Sequence, residues 1–196
     1  MLKKFALWIS YITEPFLTSF LAFGLVLYSL DVLFSEKIVL GIIALVLGAT
    51  PPTAVFLYEK SQGKIKDWFI TTRIERRDVH LAWVFGSAFI SLIFWQLDVP
   101  RLLLATTFSL LLLSIVITLA TFIWKISVHI VGITFLILIL LLVFSSNYLP
   151  LVLIIGLVAW TRIYLGHHTL SQVSVASILT ISVVYYVFNI FGLATF

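Results

Sequence analysis

Two short polar signatures, Lys125-Ile-Ser-Val-His129 and Arg162-Ile-Tyr-Leu-Gly-His-His168-Thr-Leu-Ser-Gln172, interrupt a sequence that is otherwise almost wholly apolar. Their residue types suit phosphoryl transfer. A guanidinium binds phosphate oxygens bidentately and keeps its charge. A neutral imidazole is a competent nucleophile, and a second imidazolium can protonate a leaving oxygen, so the chemistry requires no metal. Spacing adds to this. His168 and Gln172 stand one helical turn apart, so the amide can accept from one ring nitrogen and aim the other outward. Arg162, six residues before His168, points about 240° away from it on an unbroken helix. Bringing the two together needs a break, which Gly166 can supply.

The remaining candidates lie in two other places. Lys125 and His129, four apart, share one side of a helix that begins at a membrane boundary, with Ser127 pointing elsewhere unless the turn is irregular. A snorkelling lysine beside an interfacial histidine would give the same pattern. The longest polar stretch, Lys64 to Asp78, has charges of mixed sign. Lys66 and Arg73, seven apart, share a face if that stretch is helical, and Arg76 is a rival for the arginine role. A solvated loop in which Glu75 and Asp78 pair with Arg76 and Arg77 would look the same. His80, His167, Asp31, Glu36 and Asp98 read as packing, interfacial or loop-end residues. No metal is expected, because Asp67 and the histidines lack the spacings of a ligand set.

The elements that must position these side chains are membrane helices. With 62% hydrophobic and 10% charged residues among 196, too little polar surface remains to cover a soluble globule. Apolar runs of spanning length fall near 16–34, 38–58, 79–97, 102–123, 128–147, 149–165 and 173–194. The expected fold is all-α: a multi-pass transmembrane bundle of six or seven spanning helices, forming a single membrane domain over 1–196. Residues 1–14 form a candidate amphipathic segment lying flat at the interface. Lys3 and Lys4 lead into a mixed stretch and not a cleavable signal, so the N-terminus reads as mature sequence. Cysteine is absent, which excludes disulfides, thiolate nucleophiles and cysteine-bound metals.

Counting seven spans places residues 59–78, 125–129 and 162–172 on one face of the membrane. Ten of the twelve Lys and Arg residues fall there, leaving Lys37 and Arg101 opposite. Short basic loops stay in the cytoplasm, although an anion pocket would create the same bias. Without Lys66, Arg73, Arg76, Lys125 and Arg162 the excess persists, which leans the site toward the cytoplasm.

At these residues the chain resembles the type 2 phosphatidic acid phosphatase superfamily, membrane relatives of the vanadium haloperoxidases. That family carries Lys-x6-Arg-Pro, Pro-Ser-Gly-His and Ser-Arg-x5-His-x3-Asp. The third motif is matched by Thr161, Arg162 and His168, with Gln172 replacing the aspartate. Ser127 and His129 match the second, with Ile126 and Val128 for proline and glycine. Lys66 and Arg73 keep the spacing of the first, with Ile74 for proline. The resemblance covers about residues 60–185. Arg162, Tyr164, Leu165, His168, Thr169, Gln172 and Val173 are similar to the pattern in dolichyl and related prenyl diphosphate phosphatases, where glutamine also occurs.

The resemblance implies that His168 attacks phosphorus to give a phosphohistidine and His129 protonates the leaving group. Lys66, Arg73, Ser127 and Arg162 would hold the phosphoryl oxygens, with Arg76 in reserve; Lys125 joins them as a phosphate-binding candidate. The expected activity is hydrolysis of a prenyl diphosphate or related lipid phosphate, with no cofactor. Expected partners are that substrate and membrane lipids, and no nucleic acid. A lipid phosphotransferase on the same scaffold, or a non-enzymatic lipid-phosphate binding or transport protein, would use the same residues.

Overall fold

A computed structural model describes residues 1–66, 70, 72 and 74–193, and among these the regular structure is helical throughout. The α-helices are α1 (Leu2–Ile12), α2 (Pro15–Ser29), α3 (Phe34–Ile43), α4 (Thr50–Ser61), α5 (Arg77–Gln96), α6 (Arg101–Ile123), α7 (Val128–Ile139), α8 (Val152–Tyr164) and α9 (Leu170–Ile190). The chain divides into two compact units, one formed by Met1–Ser29 with Ile126–Phe196 and the other by Leu30–Lys125.

In the first unit α7 is the hub, packed by α2, α8 and α9, while α1 lies on α8. Its sequence explains the position: Ile130, Val131, Ile133, Phe135, Ile137 and Ile139 are all buried, so α7 is apolar around its whole circumference rather than along one stripe. The break between α1 and α2 has a local cause. The Glu14 carboxylate accepts from the amides of Phe16 (2.9 Å) and Leu17 (3.1 Å), and Pro15 takes the first helical position, where its missing N–H costs nothing. The two helices meet there at a bend of 45°. At its far end α7 widens into a π turn, Leu140–Phe144, and stops where Ser145 turns extended; a 3₁₀ turn, Ser146–Leu151, leads into α8.

In the second unit α3 runs through a π turn, Ala44–Ala49, into α4, which opens on Thr50, Pro51 and Pro52. A proline has no N–H to give the carbonyl four residues earlier and its ring crowds that carbonyl. The displaced acceptors are those of Leu47 and Gly48, and α5 crosses at this point with Gly86. A Cβ on Gly86 would lie 2.8 Å and 3.0 Å from these two oxygens, so its bare α-carbon is what lets the helices meet. α5 and α6 form the second hairpin of this unit. Phe56, Ile65 and Val79 make a small apolar cluster, with Val55 and Ile70 against it, that ties Ile65 and Ile70 to α4 and α5.

Among the described residues five helical stretches are long and apolar enough to cross a membrane: Phe34–Ser61, Ile74–Gln96, Arg101–Ile123, Ser146–Tyr164 and Leu170–Ile190. The bent pair α1 and α2 makes a sixth if it counts as one. The sequence reading of seven separate runs is therefore too generous at two places. The run near 16–34 ends as helix at Ser29 and reaches spanning length only together with α1. The run near 128–147 is cut by Ser145, and helix Val128–Phe144 reaches about 26 Å against the ~30 Å of a hydrocarbon core. Large apolar side chains such as Leu153 (79% exposed) and Trp95 (66%) stand on the helix flanks, as a lipid-facing surface requires.

Candidate functional site

The turn between α8 and α9 is built around Gly166. Its φ of 71° is a left-handed conformation that a Cβ would oppose, and it lets the chain double back so that the amides of His167 (3.0 Å) and His168 (3.2 Å) both donate to the Arg162 carbonyl. The break that the spacing of Arg162 and His168 demands is present. One carbonyl at the end of α8, that of Arg162, is thereby satisfied twice by the backbone of the residues that follow.

Thr169 then caps α9. Its Oγ1 accepts from the Gln172 amide (3.4 Å), and Gln172 Oε1 accepts from the Thr169 amide (3.2 Å), a reciprocal capping box. The same Oε1 lies 3.0 Å from Nδ1 of His168. These contacts fix protonation by elimination. A backbone N–H only donates, so the atom facing Thr169 is the carbonyl oxygen of the side-chain amide, and an oxygen without hydrogens obliges Nδ1 of His168 to carry the proton. In the neutral ring the lone pair then resides on Nε2. His168 is buried and Gln172 half-buried.

The second signature sits at the start of α7. Ser127 is its N-cap residue and accepts from the Val131 amide through its carbonyl (3.1 Å). Its hydroxyl is buried and makes no hydrogen bond among the described residues. His129 follows in the first turn and is also buried. One turn further on, Gly132 faces α2: a Cβ there would overlap Thr18 Oγ1 and stand 3.2 Å from the Pro15 α-carbon. α2 thus presses on α7 directly above His129. Because α7 and α8 pack as neighbours across a short turn, and α9 starts where α8 ends, the start of α7, the end of α8 and the start of α9 share one end of this unit.

Arg162 is 1% exposed, and its Nη1 donates to Ser10 Oγ on α1 at 3.1 Å. Ser10, also fully buried, lies 3.5 Å from Thr161 Oγ1. Sequence reading assigned α1 to the membrane surface and missed Ser10. A signal was available: Ala6 and Ser10 are small residues four apart beside Ile9, a spacing that marks close helix contact in membranes. α1 does keep an exposed apolar side, with Trp8 59% exposed, while Phe5 meets Trp160 at a ring separation of 6.4 Å.

The other candidates belong to the second unit. Lys66 is exposed, and the described residues around it form no helix, so the shared helical face with Arg73 is not realised at its end. Arg73 lies outside the described residues. Arg76 is buried at the end of a 3₁₀ turn and donates through Nε to the Ile70 carbonyl (2.8 Å), which commits one edge of its guanidinium to the backbone. Lys125 is half-buried, and the shared helical side with His129 does not exist: the chain is extended at Trp124 and Ser127, and α7 begins only at Val128.

The first unit by itself therefore supplies an oriented imidazole, a second buried imidazole, a buried guanidinium and a buried hydroxyl, each at a helix end. Comparisons with protein-family models, with curated proteins and with solved structures return no match for this chain.

Proposed function

We propose that the chain is a multi-pass integral membrane phosphatase that hydrolyses a lipid-borne phosphate, with a prenyl diphosphate as the favoured substrate, through attack of His168 on phosphorus. The supporting observation is the Gln172 carbonyl oxygen 3.0 Å from His168 Nδ1, held in place by the Thr169 amide. It places the lone pair on Nε2, as a nucleophilic imidazole needs. In this reading Nε2 bonds to phosphorus as the bond to the departing oxygen breaks, and His129 delivers the proton which that oxygen takes. Water, giving up a proton to His129, then attacks the phosphohistidine and breaks its P–N bond, which releases phosphate and restores both rings. Arg162 and Ser127 hold the phosphoryl oxygens. The lipid tail stays in the bilayer beside the bundle.

The test is phosphate release from farnesyl diphosphate by protein purified in detergent with EDTA present. Wild type releases phosphate and His168→Ala does not. Phosphorylation of an added lipid or sugar alcohol would mark a phosphotransferase instead. A second reading, a lipid-phosphate binding protein, is favoured by the neutral amide at Gln172, which orients a ring without stabilising positive charge on it. No release from farnesyl diphosphate, phosphatidic acid or phosphatidylglycerol phosphate would select that reading.

A further inference from the structure

We infer that Ser10 is a positioning residue for phosphate binding, and that α1 is thereby part of the site through Arg162; the inference rests on the phosphate-binding reading of Arg162. A guanidinium only donates, so Ser10 Oγ accepts from Arg162 Nη1 across 3.1 Å. Thr161 Oγ1 spends its own proton on the Val158 carbonyl at 2.8 Å, and so can only accept from Ser10 across the longer 3.5 Å. The protons consequently run in one direction, from Arg162 to Ser10 to Thr161 to the α8 backbone.

Every acceptor in this relay is neutral. It holds the guanidinium through Nη1 without adding a negative charge beside it. A carboxylate in the place of Ser10 would hold the arginine as firmly and oppose phosphate at the same time. Position matters as well. Arg162 is one of the largest side chains with almost no exposure, its carbonyl anchors the turn leading to His168, and Ser10 holds its Nη1. Ser10 comes from the opposite end of the sequence, and α1 reaches it by packing Ala6, Ile9 and Ser10 against α8.

The experiment measures binding of inorganic phosphate by calorimetry and hydrolysis of farnesyl diphosphate, for wild type, Ser10→Ala, Ser10→Cys, Arg162→Lys and the Ser10→Ala/Arg162→Lys double variant. Ser10→Cys keeps the volume while replacing a strong acceptor by a weak one, and so separates packing from hydrogen bonding. Both Ser10 variants are expected to weaken phosphate binding about tenfold, the scale of one hydrogen bond to a charged group. KM should rise by a similar factor and kcat should change little, because the arginine holds the phosphate in ground and transition states alike. In the Arg162→Lys background the Ser10→Ala change should add less than about twofold. Undiminished affinity in Ser10→Cys, or an equal loss from Ser10→Ala in both backgrounds, overturns the inference. Phosphate binding that depends on Ser10 in a wild type that hydrolyses nothing refutes the phosphatase reading and sustains the role of Ser10. A wild type that binds no phosphate refutes both.

Discussion

Replacing Gln172 with glutamate exchanges one NH2 for an oxygen and leaves chain length, reach and helix position unchanged. The capping box accepts glutamate at this position as readily as glutamine, so the contact to the Thr169 amide and the start of α9 are retained. What changes is charge. A carboxylate oxygen 3.0 Å from His168 Nδ1 favours the doubly protonated ring. At that separation two unit charges attract by about 1.4 kcal/mol even with the dielectric constant of water. This is one pH unit, and half-burial makes it a lower bound. The sign follows directly. In the proposed reaction the nucleophile is the neutral ring; the carboxylate stabilises the cation, so neutral ring forms only at higher pH. The acid limb of kcat/KM for farnesyl diphosphate should move up by at least about one unit, lowering activity on the acid side while the alkaline plateau stays level or rises. Rates measured from about pH 5 to 9, with 15N-histidine spectra of the same protein in detergent, give two readings of the same titration. A limb and a resonance both displaced by less than about 0.3 unit in a folded Gln172→Glu protein would show that this contact does not govern the reacting ring.

Gln172→Ala frees the ring to rotate and should lower kcat about tenfold with KM within about twofold, by steady-state kinetics. His129→Ala should slow farnesyl diphosphate hydrolysis by about a hundredfold but p-nitrophenyl phosphate hydrolysis by far less, because nitrophenolate leaves without a proton; equal losses would remove His129 from the acid role. Gly132→Ala drives a methyl into Thr18 and the Pro15 backbone, and should cost about 1–3 kcal/mol in thermal denaturation, with activity falling as α2 is pushed off α7.

What was legible in the sequence is what depends on short-range spacing. His168 and Gln172 four apart and Gly166 as the break are local matters, decided by helix pitch and by the one residue tolerant of positive φ. Failures came where the outcome depended on where a helix starts or on what lies across from it. Lys125 and His129 have a helical spacing, but the extended Trp124–Ser127 segment lies before the first turn of α7 and voids it. Ser10 carries no motif and becomes meaningful only when α1 lies on α8. The run read to residue 147 likewise ends earlier as helix, because the backbone turns extended at Ser145.

The polar residues of the first unit occupy helix ends for an energetic reason. Inside a membrane span the backbone satisfies itself and a polar side chain is a liability, whereas at an end four amides or four carbonyls lack helical partners. Ser127 and His129 lie at the amide end of α7, and Thr169 and Gln172 at the amide end of α9, so both helices offer partial positive charge where the imidazoles stand. The end of α8 brings the opposite sign to the same place. There the Arg162 carbonyl is covered by the amides of His167 and His168, and the Arg162 side chain adds a full positive charge. An anion arriving at this end of the unit meets two favourable helix ends and one whose unfavourable field has been offset. Backbone termini and guanidinium act together here, so Arg162→Gln should weaken phosphate binding without abolishing it, whereas binding that vanishes entirely would assign the attraction to the side chain alone.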